Sequence, residues 1–261
     1  MEKPRPKAPL WAFAILVFVG LLILLPLIVL FVASFLNSDG RVSFDNYRMV
    51  FLDGELGLAL VRSLVVATVA SVISTCVGTL ASLSIYRKYF GFWILQKASL
   101  MALVFPEILF AIALLMFLSL VQIPLGLMSV CLAHIGFSLS FVMFAVSSQI
   151  SMLDLEIVDA AQDLGATEFQ LISRILLPLL LPSIGVGLIL SFLLSFDDFL
   201  ITYFVNGVGA DTLPVKLYTA MRTGINPKLT ALSTLLLVVT LALTFVIGAR
   251  IKKILAQSNR F

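Results

Sequence analysis

The chain has 261 residues, 61% of them hydrophobic and 12% charged, with a net charge of +3 and a mean hydropathy of +1.14. A soluble domain carries about 25% charged residues, so this composition excludes a soluble globule and leaves a polytopic, all-α membrane protein. The basic excess is too small and too scattered for nucleic acid.

The N-terminal MEKPRPKAP is basic and precedes an apolar run, as in a signal peptide. That run, Leu10–Leu36, is 27 residues, longer than a signal core and long enough to span, so it reads as an uncleaved first transmembrane helix. Five further stretches qualify: Leu58–Ile85, Ala98–Val121, Leu125–Ile150, Ile175–Phe199 and Leu229–Ala249. The second carries Ala70, Ser74, Gly78 and Ser82 on one face, a small-residue stripe suited to close helix packing. The short link Gln122-Ile123-Pro124 predicts a tight hairpin of the third and fourth spans. Cys76 and Cys131 lie in apolar runs without CxxC spacing and read as small core residues. With one histidine in the chain, no zinc or haem site is expected.

Placing both termini in the cytoplasm puts eleven Lys and Arg inside and six outside, with Arg62 counted outside. The positive-inside rule supports this orientation. The polar segment between the fourth and fifth spans then faces the cytoplasm. It holds Asp154, Glu156, Asp159, Asp163 and Glu168, with no base before Arg174. Ile157, Ala160, Ala161, Leu164, Leu171 and Ile172 share one face at helical spacing, interrupted by Glu168. The segment is a short amphipathic helix, or two, with Gly165 providing a bend or a close backbone approach. A membrane-surface helix is usually basic, so this acidic one suits a protein partner better than lipid.

Asp159-Ala160-Ala161, then Gly165, then Ile175-Leu176-Leu177-Pro178 resembles the cytoplasmic motif of ABC-importer permeases, with Asp159 for the usual Glu. The resemblance implies a type I importer permease fold in one domain, 1–261, with a coupling segment at 154–178. Asp159, Ala160, Ala161, Gly165, Ala166, Leu177 and Pro178 would then couple to a cytoplasmic ATPase. It also implies two ATPase subunits, a second permease subunit and an extracytoplasmic binding protein received by the outer loops Asn37–Gly57 and Leu200–Lys228. The chain has no GxxxxGK[ST] motif, so it is not expected to be an enzyme or to hold a cofactor; ATP and Mg would sit in the partner ATPase.

Carboxylates inside spans point to function, each costing about 2.5–3.5 kcal/mol at mid-membrane. Glu107 follows Pro106 near the midplane, where a proline suits a broken helix lining a cavity. Asp197 and Asp198 lie near the outer end of the fifth span. His134, at the depth of Glu107, can bond a carboxylate across the cavity or pack as a core imidazole. A carboxylate lining favours a small cation as cargo. Leu132-Ala133-His134, Ser195-Phe196-Asp197-Asp198-Phe199, Thr212-Leu213-Pro214 and Ala231–Leu236 resemble the second membrane subunit of polyamine (spermidine/putrescine) permeases, which implies polyamine import across a bacterial inner membrane. Ferric ion or another organic cation stays open as cargo. A proton-coupled carrier explains the carboxylates but not the motif. A membrane serine protease would need a GxSG-type nucleophile.

Overall fold

The computed structural model describes residues 10–258 apart from 38, 88–90, 92, 96, 98–102, 155, 223, 225 and 226. Lys3, Arg5, Lys7, Lys88, Arg260 and the first residues of the predicted third span lie outside the described residues. Regular structure among the described residues is helical, with one isolated bridge between Leu36 and Val42. The apolar runs dictate this, because a helix satisfies its own backbone where lipid offers no partners.

The helices in chain order are α1 Leu10–Ala33, α2 Asp45–Leu52, α3 Gly54–Tyr86, α4 Glu107–Leu120, α5 Leu127–Ile150 and α6 Glu156–Asp163. They are followed by α7 Leu177–Phe196, α8 Leu200–Val205, α9 Leu213–Arg222 and α10 Pro227–Ser258. A turn of helix, Glu168–Gln170, and a π-helical stretch, Leu171–Leu176, lead straight into α7. Among the described residues, five helical stretches are long and apolar enough to cross a membrane: Trp11–Ala33, Gly54–Tyr86, Leu127–Ile150, Glu168–Phe196 and Pro227–Phe245. The expected third span differs. Its described helix α4 has 14 residues, roughly 21 Å at 1.5 Å per residue, short of a core about 30 Å thick. Arg62, counted with the outer side above, lies two turns inside α3.

The chain forms two compact units, one from Met1–Gly54 with Leu217–Val239 and the other from Glu55–Lys216 with Thr240–Phe261. In the first, polar contacts tie the end of α1 to α2. Asn46 Nδ2 donates to the carbonyls of Ser34 and Leu36, both at 2.9 Å, and the Ser34 and Tyr47 hydroxyls meet at 2.6 Å. Lys228, at the start of α10, donates to Asp53 just after α2.

In the second unit the small-residue stripe of α3 packs on α5. Ala70, Ser74 and Ser82 are buried. Ser74 Oγ donates to Ile135 O at 3.0 Å and Ser82 Oγ to Met143 O at 3.3 Å. A Cβ on Gly78 would lie 2.8 Å from Val142 Cγ1, and one on Gly187 of α7 would lie 3.3 Å from the same atom. Small residues on both flanking helices therefore let Val142 sit buried in a three-helix contact. Of the two cysteines, Cys131 is half-buried and packs against the core around Val130 and Ala133, whereas Cys76, expected in a core, is exposed.

The link between α4 and α5 is short, as expected. Gln122 adopts φ 59°, and Ile123 N–H reaches back to Leu118 O at 2.9 Å, which ends α4 in a Schellman turn. Yet the expected hairpin is not a simple pair. The helix α8 joins both partners through Ile201 and Val205, which share a core with Ala111, Leu118, Val130 and Ala133. The expected outer loop Leu200–Lys228 therefore begins with a buried helix.

Candidate functional site: an acidic cavity and a capped segment

The fifth span ends at Phe196, and Asp197, Asp198 and Phe199 form the break before α8. A cavity of about 410 Å³ opens at this break. It is lined by Glu107, Leu190, Leu193, Leu194, Asp197, Asp198, Phe199, Leu200 and Thr240. Its charged side chains are three carboxylates. Glu107 reaches the lining because Pro106 ends the preceding turn and starts α4 with the carboxylate in its first turn.

The three carboxylates are held differently. Asp197 is exposed and Glu107 half-buried. Asp198 is buried at 7% exposure and fully engaged. Its Oδ1 accepts from the Ile201 N–H at 3.2 Å, and its Oδ2 accepts from the N–H and hydroxyl of Thr202, both at 2.8 Å. These backbone donors are the ones a helix start leaves unpaired, so Asp198 caps α8. The same Oδ2 lies 3.1 Å from His134 Nε2.

His134 is 2% exposed. Its Nδ1 lies 2.6 Å from Ser195 Oγ and its Nε2 2.9 Å from Thr202 Oγ1. With the ring proton on Nε2, that nitrogen donates to Asp198 while Nδ1 accepts from the Ser195 hydroxyl, so both nitrogens are satisfied. The imidazole thus both bonds a carboxylate and sits in the core. It pins α5 to the break after α7. Ser195, His134 and Asp198 follow one another as in a hydrolase triad, but with the two ring nitrogens exchanged, and Ser195 is buried and does not line the cavity. Ser195 and Thr202 escaped the sequence reading. Their only signal was position: they flank the Asp pair, and a lone buried histidine needs two partners.

The segment between the fourth and fifth spans is two pieces, not one face. α6 ends in a Schellman turn: Ala166 N–H bonds Ala161 O at 3.0 Å and Gly165 N–H bonds Gln162 O at 2.8 Å. Gly165 adopts φ 79°, a conformation glycine reaches without steric cost. Val158, Ala161 and Leu171 turn inward against Leu83, Val142, Val146, Ile150, Leu176 and Leu180, with Ala166 and Leu177 packed on this cluster. Asp159, Ala160 and Pro178 are exposed. So are Ile157 at 45%, Leu164 at 89% and Phe169 at 79%. The expected single apolar face is divided: one edge fills the chain's own core, and the other is open.

Lys216 of α9, outside the spans, donates its Nζ to Glu55 Oε2 in the first turn of α3 at 2.8 Å. That hydrogen bond, reinforced by the charges of Glu55 and Asp211, raises the ammonium pKa above its ordinary value.

Residues 74–261 match the family described as binding-protein-dependent transport system inner membrane component. The chain is 34% identical over 225 residues to the spermidine/putrescine transport system permease protein PotC of Escherichia coli K12, covering 84% of this chain and 85% of that one. It is 33% identical over 251 residues to the putrescine transport system permease protein PotI of the same strain, covering 90% and 88%. Among solved structures, a bacterial ABC transporter involved in the import of the acidic polysaccharide alginate matches with a TM-score of 0.73, covering 94% of this chain and 95% of that one at 17% identity. That last likeness is one of fold alone. Family and relatives agree over most of the length, and the chain belongs to the inner-membrane permease family of binding-protein-dependent ABC transporters.

Proposed function

We propose that the chain is one membrane subunit of an ATP-driven importer that carries polyamines across a bacterial inner membrane. The observation that carries this reading is the cavity at the break in the fifth span, whose charged lining is Glu107, Asp197 and Asp198. An anion carrier would place bases or uncapped helix N-termini there; here the two helix starts at the cavity carry carboxylates, Glu107 in the first turn of α4 and Asp198 capping α8. An ammonium 4 Å from a carboxylate gains about 4 kcal/mol at an effective dielectric near 20, before desolvation. Two such contacts offset much of the cost of stripping water from a diamine. The two E. coli relatives are named for spermidine and putrescine, which agrees in sign with the lining.

The rest of the assembly follows from the segment at 154–178, with the whole chain acting as one permease domain and both termini cytoplasmic. A cytoplasmic ATPase subunit docks on its open edge, where Ile157, Ala160, Leu164 and Phe169 offer apolar contact and Asp159 a charge. Two ATPases, a second permease subunit and an extracytoplasmic binding protein complete the complex. ATP and Mg are bound by the ATPases. ATP-driven closure moves the docked segments as rigid bodies, and the continuous path from Glu168 to Phe196 carries that motion to the carboxylate break. Within the cavity Glu107 and Asp197 meet the cargo, and His134 with Asp198 holds the wall in place.

Uptake of labelled putrescine and spermidine into vesicles carrying the full complex tests this reading. Accumulation that requires ATP and the binding protein is expected. Uptake driven by a proton gradient without ATP overturns the importer. Competition by iron or anions, but not by amines, overturns the cargo.

A further inference from the structure

Glu168 breaks the apolar pattern of the segment, and Arg87 is the residue it meets. Arg87 stands directly after α3, its N–H bonded to Leu83 O at 2.9 Å. Glu168 follows Thr167, whose Oγ1 accepts from the Gln170 N–H at 3.3 Å while Gln170 Oε1 accepts from the Thr167 N–H at 2.9 Å. This reciprocal cap fixes the start of the helical turn. Across 81 residues of sequence, Arg87 Nε donates to Glu168 Oε1 at 2.7 Å and Nη2 donates to Oε2 at 2.5 Å. Each charge also suits its helix end, the cation after the last turn of α3 and the carboxylate in the first turn of Glu168–Gln170.

The two side chains are 23% and 42% exposed, so solvent and salt screen the pair and it adds little to stability. Its geometry matters more. Below it, Leu83 and Tyr86 of α3 pack with Val158, Ala161 and Leu171 of the segment, a contact without directional preference. A two-pronged guanidinium–carboxylate bond fixes both distance and orientation.

We infer that Arg87 and Glu168 form a second mechanical link from the coupling segment into the membrane. They are positioning residues that make α3 follow the segment, while the π-helical stretch carries the same displacement into α7. The inference rests on the proposed docking of an ATPase at 154–178.

The test uses the full complex in vesicles and the variants Arg87→Glu, Glu168→Arg and the double exchange, with three readouts: ATP hydrolysed, putrescine taken up, and ATPase subunit retained on purification. The single variants are expected to retain the ATPase and to hydrolyse ATP, with transport per ATP reduced about tenfold, and the double exchange to restore most of it, as coupled neighbours do. Unchanged transport per ATP in the single variants, or no recovery in the double, overturns the link. Loss of the ATPase subunit from the single variants overturns it in favour of a docking contact. Arg87→Lys keeps the charge without the fork and serves if the reversed chains do not fold. Reduced transport per ATP in that variant supports the link, and a wild-type ratio overturns it. A wild-type complex that accumulates amine without ATP overturns the proposed function and the link with it.

Discussion

Asp198 Oδ2 lies 3.1 Å from His134 Nε2, and that contact commits one carboxylate of the cavity to the fold. With Ile201 and Thr202 bonded as well, the Asp198 oxygens are occupied by donors. Asparagine at this position keeps one acceptor and turns an amide N–H₂ toward a donor in a buried site. Asp198→Asn is therefore expected to lower stability by about 1–3 kcal/mol, the cost of an unsatisfied buried group, seen as a lower Tm of the purified chain in detergent. An unchanged Tm together with a raised KM for putrescine would instead assign Asp198 to the cargo.

Glu107 makes the opposite prediction. It is half-buried in the same lining and caps no helix, so Glu107→Gln removes charge while leaving the packing in place. One lost carboxylate–ammonium contact is expected to raise the KM for putrescine about tenfold or more, with Tm unchanged. Unaltered uptake kinetics would move Glu107 from cargo contact to a role in cavity hydration.

Much of this was legible in the sequence because hydropathy and small-residue spacing report directly on what lipid permits. The stripe Ala70, Ser74, Gly78 and Ser82 does pack a helix, and among the described residues five of six expected spans are long apolar helices. The misses share a cause. Leu200–Val205 is too short to register as a span, and its burial depends on the long-range partners Ala111 and Val130. The split of the apolar face at 154–178 could not be read either. Periodicity places Ile157, Ala161 and Leu164 together, but only the cluster around Leu83 and Leu176 decides which edge is covered. Glu168 looked like a flaw in a pattern until Arg87, 81 residues away, was brought beside it.

Gly165 gives a backbone prediction. At φ 79° an alanine costs about 1–2 kcal/mol, and proline cannot adopt the angle. Gly165→Pro is expected to destroy the turn that separates the proposed docking edge from the path into α7. ATP hydrolysis would then continue while amine uptake falls to background in reconstituted vesicles. Gly165→Asn, the side chain that best tolerates this conformation, should keep most of the transport per ATP. Equal coupling in wild type and Gly165→Pro would contradict the role of the turn.

Glycine contacts rank a last set of variants. A Cβ on Gly207 would lie 2.2 Å from the carbonyl oxygen of Leu125, which is main chain and cannot rotate aside. A Cβ on Gly78 would meet the side chain of Val142 at 2.8 Å, which is side chain and can shift toward the space that Gly187, lacking a Cβ, leaves open. Gly136, inside α5, has no atom within 4 Å of its Cβ position. Overpacking costs about 1–3 kcal/mol, and Gly207→Ala is expected at the upper end because it forces the α4–α5 link away from α8. Gly78→Ala should cost less, through a shift of Val142 and a loosened α3–α5 contact. Gly136→Ala should be neutral or stabilising by up to about 1 kcal/mol through helix propensity. Thermal unfolding of the three purified variants in one detergent checks the order. Because the Leu125 carbonyl stands at the α4–α5 link beside the helix that Asp198 caps, Gly207→Ala should also depress putrescine uptake in the folded fraction, whereas Gly78→Ala should not.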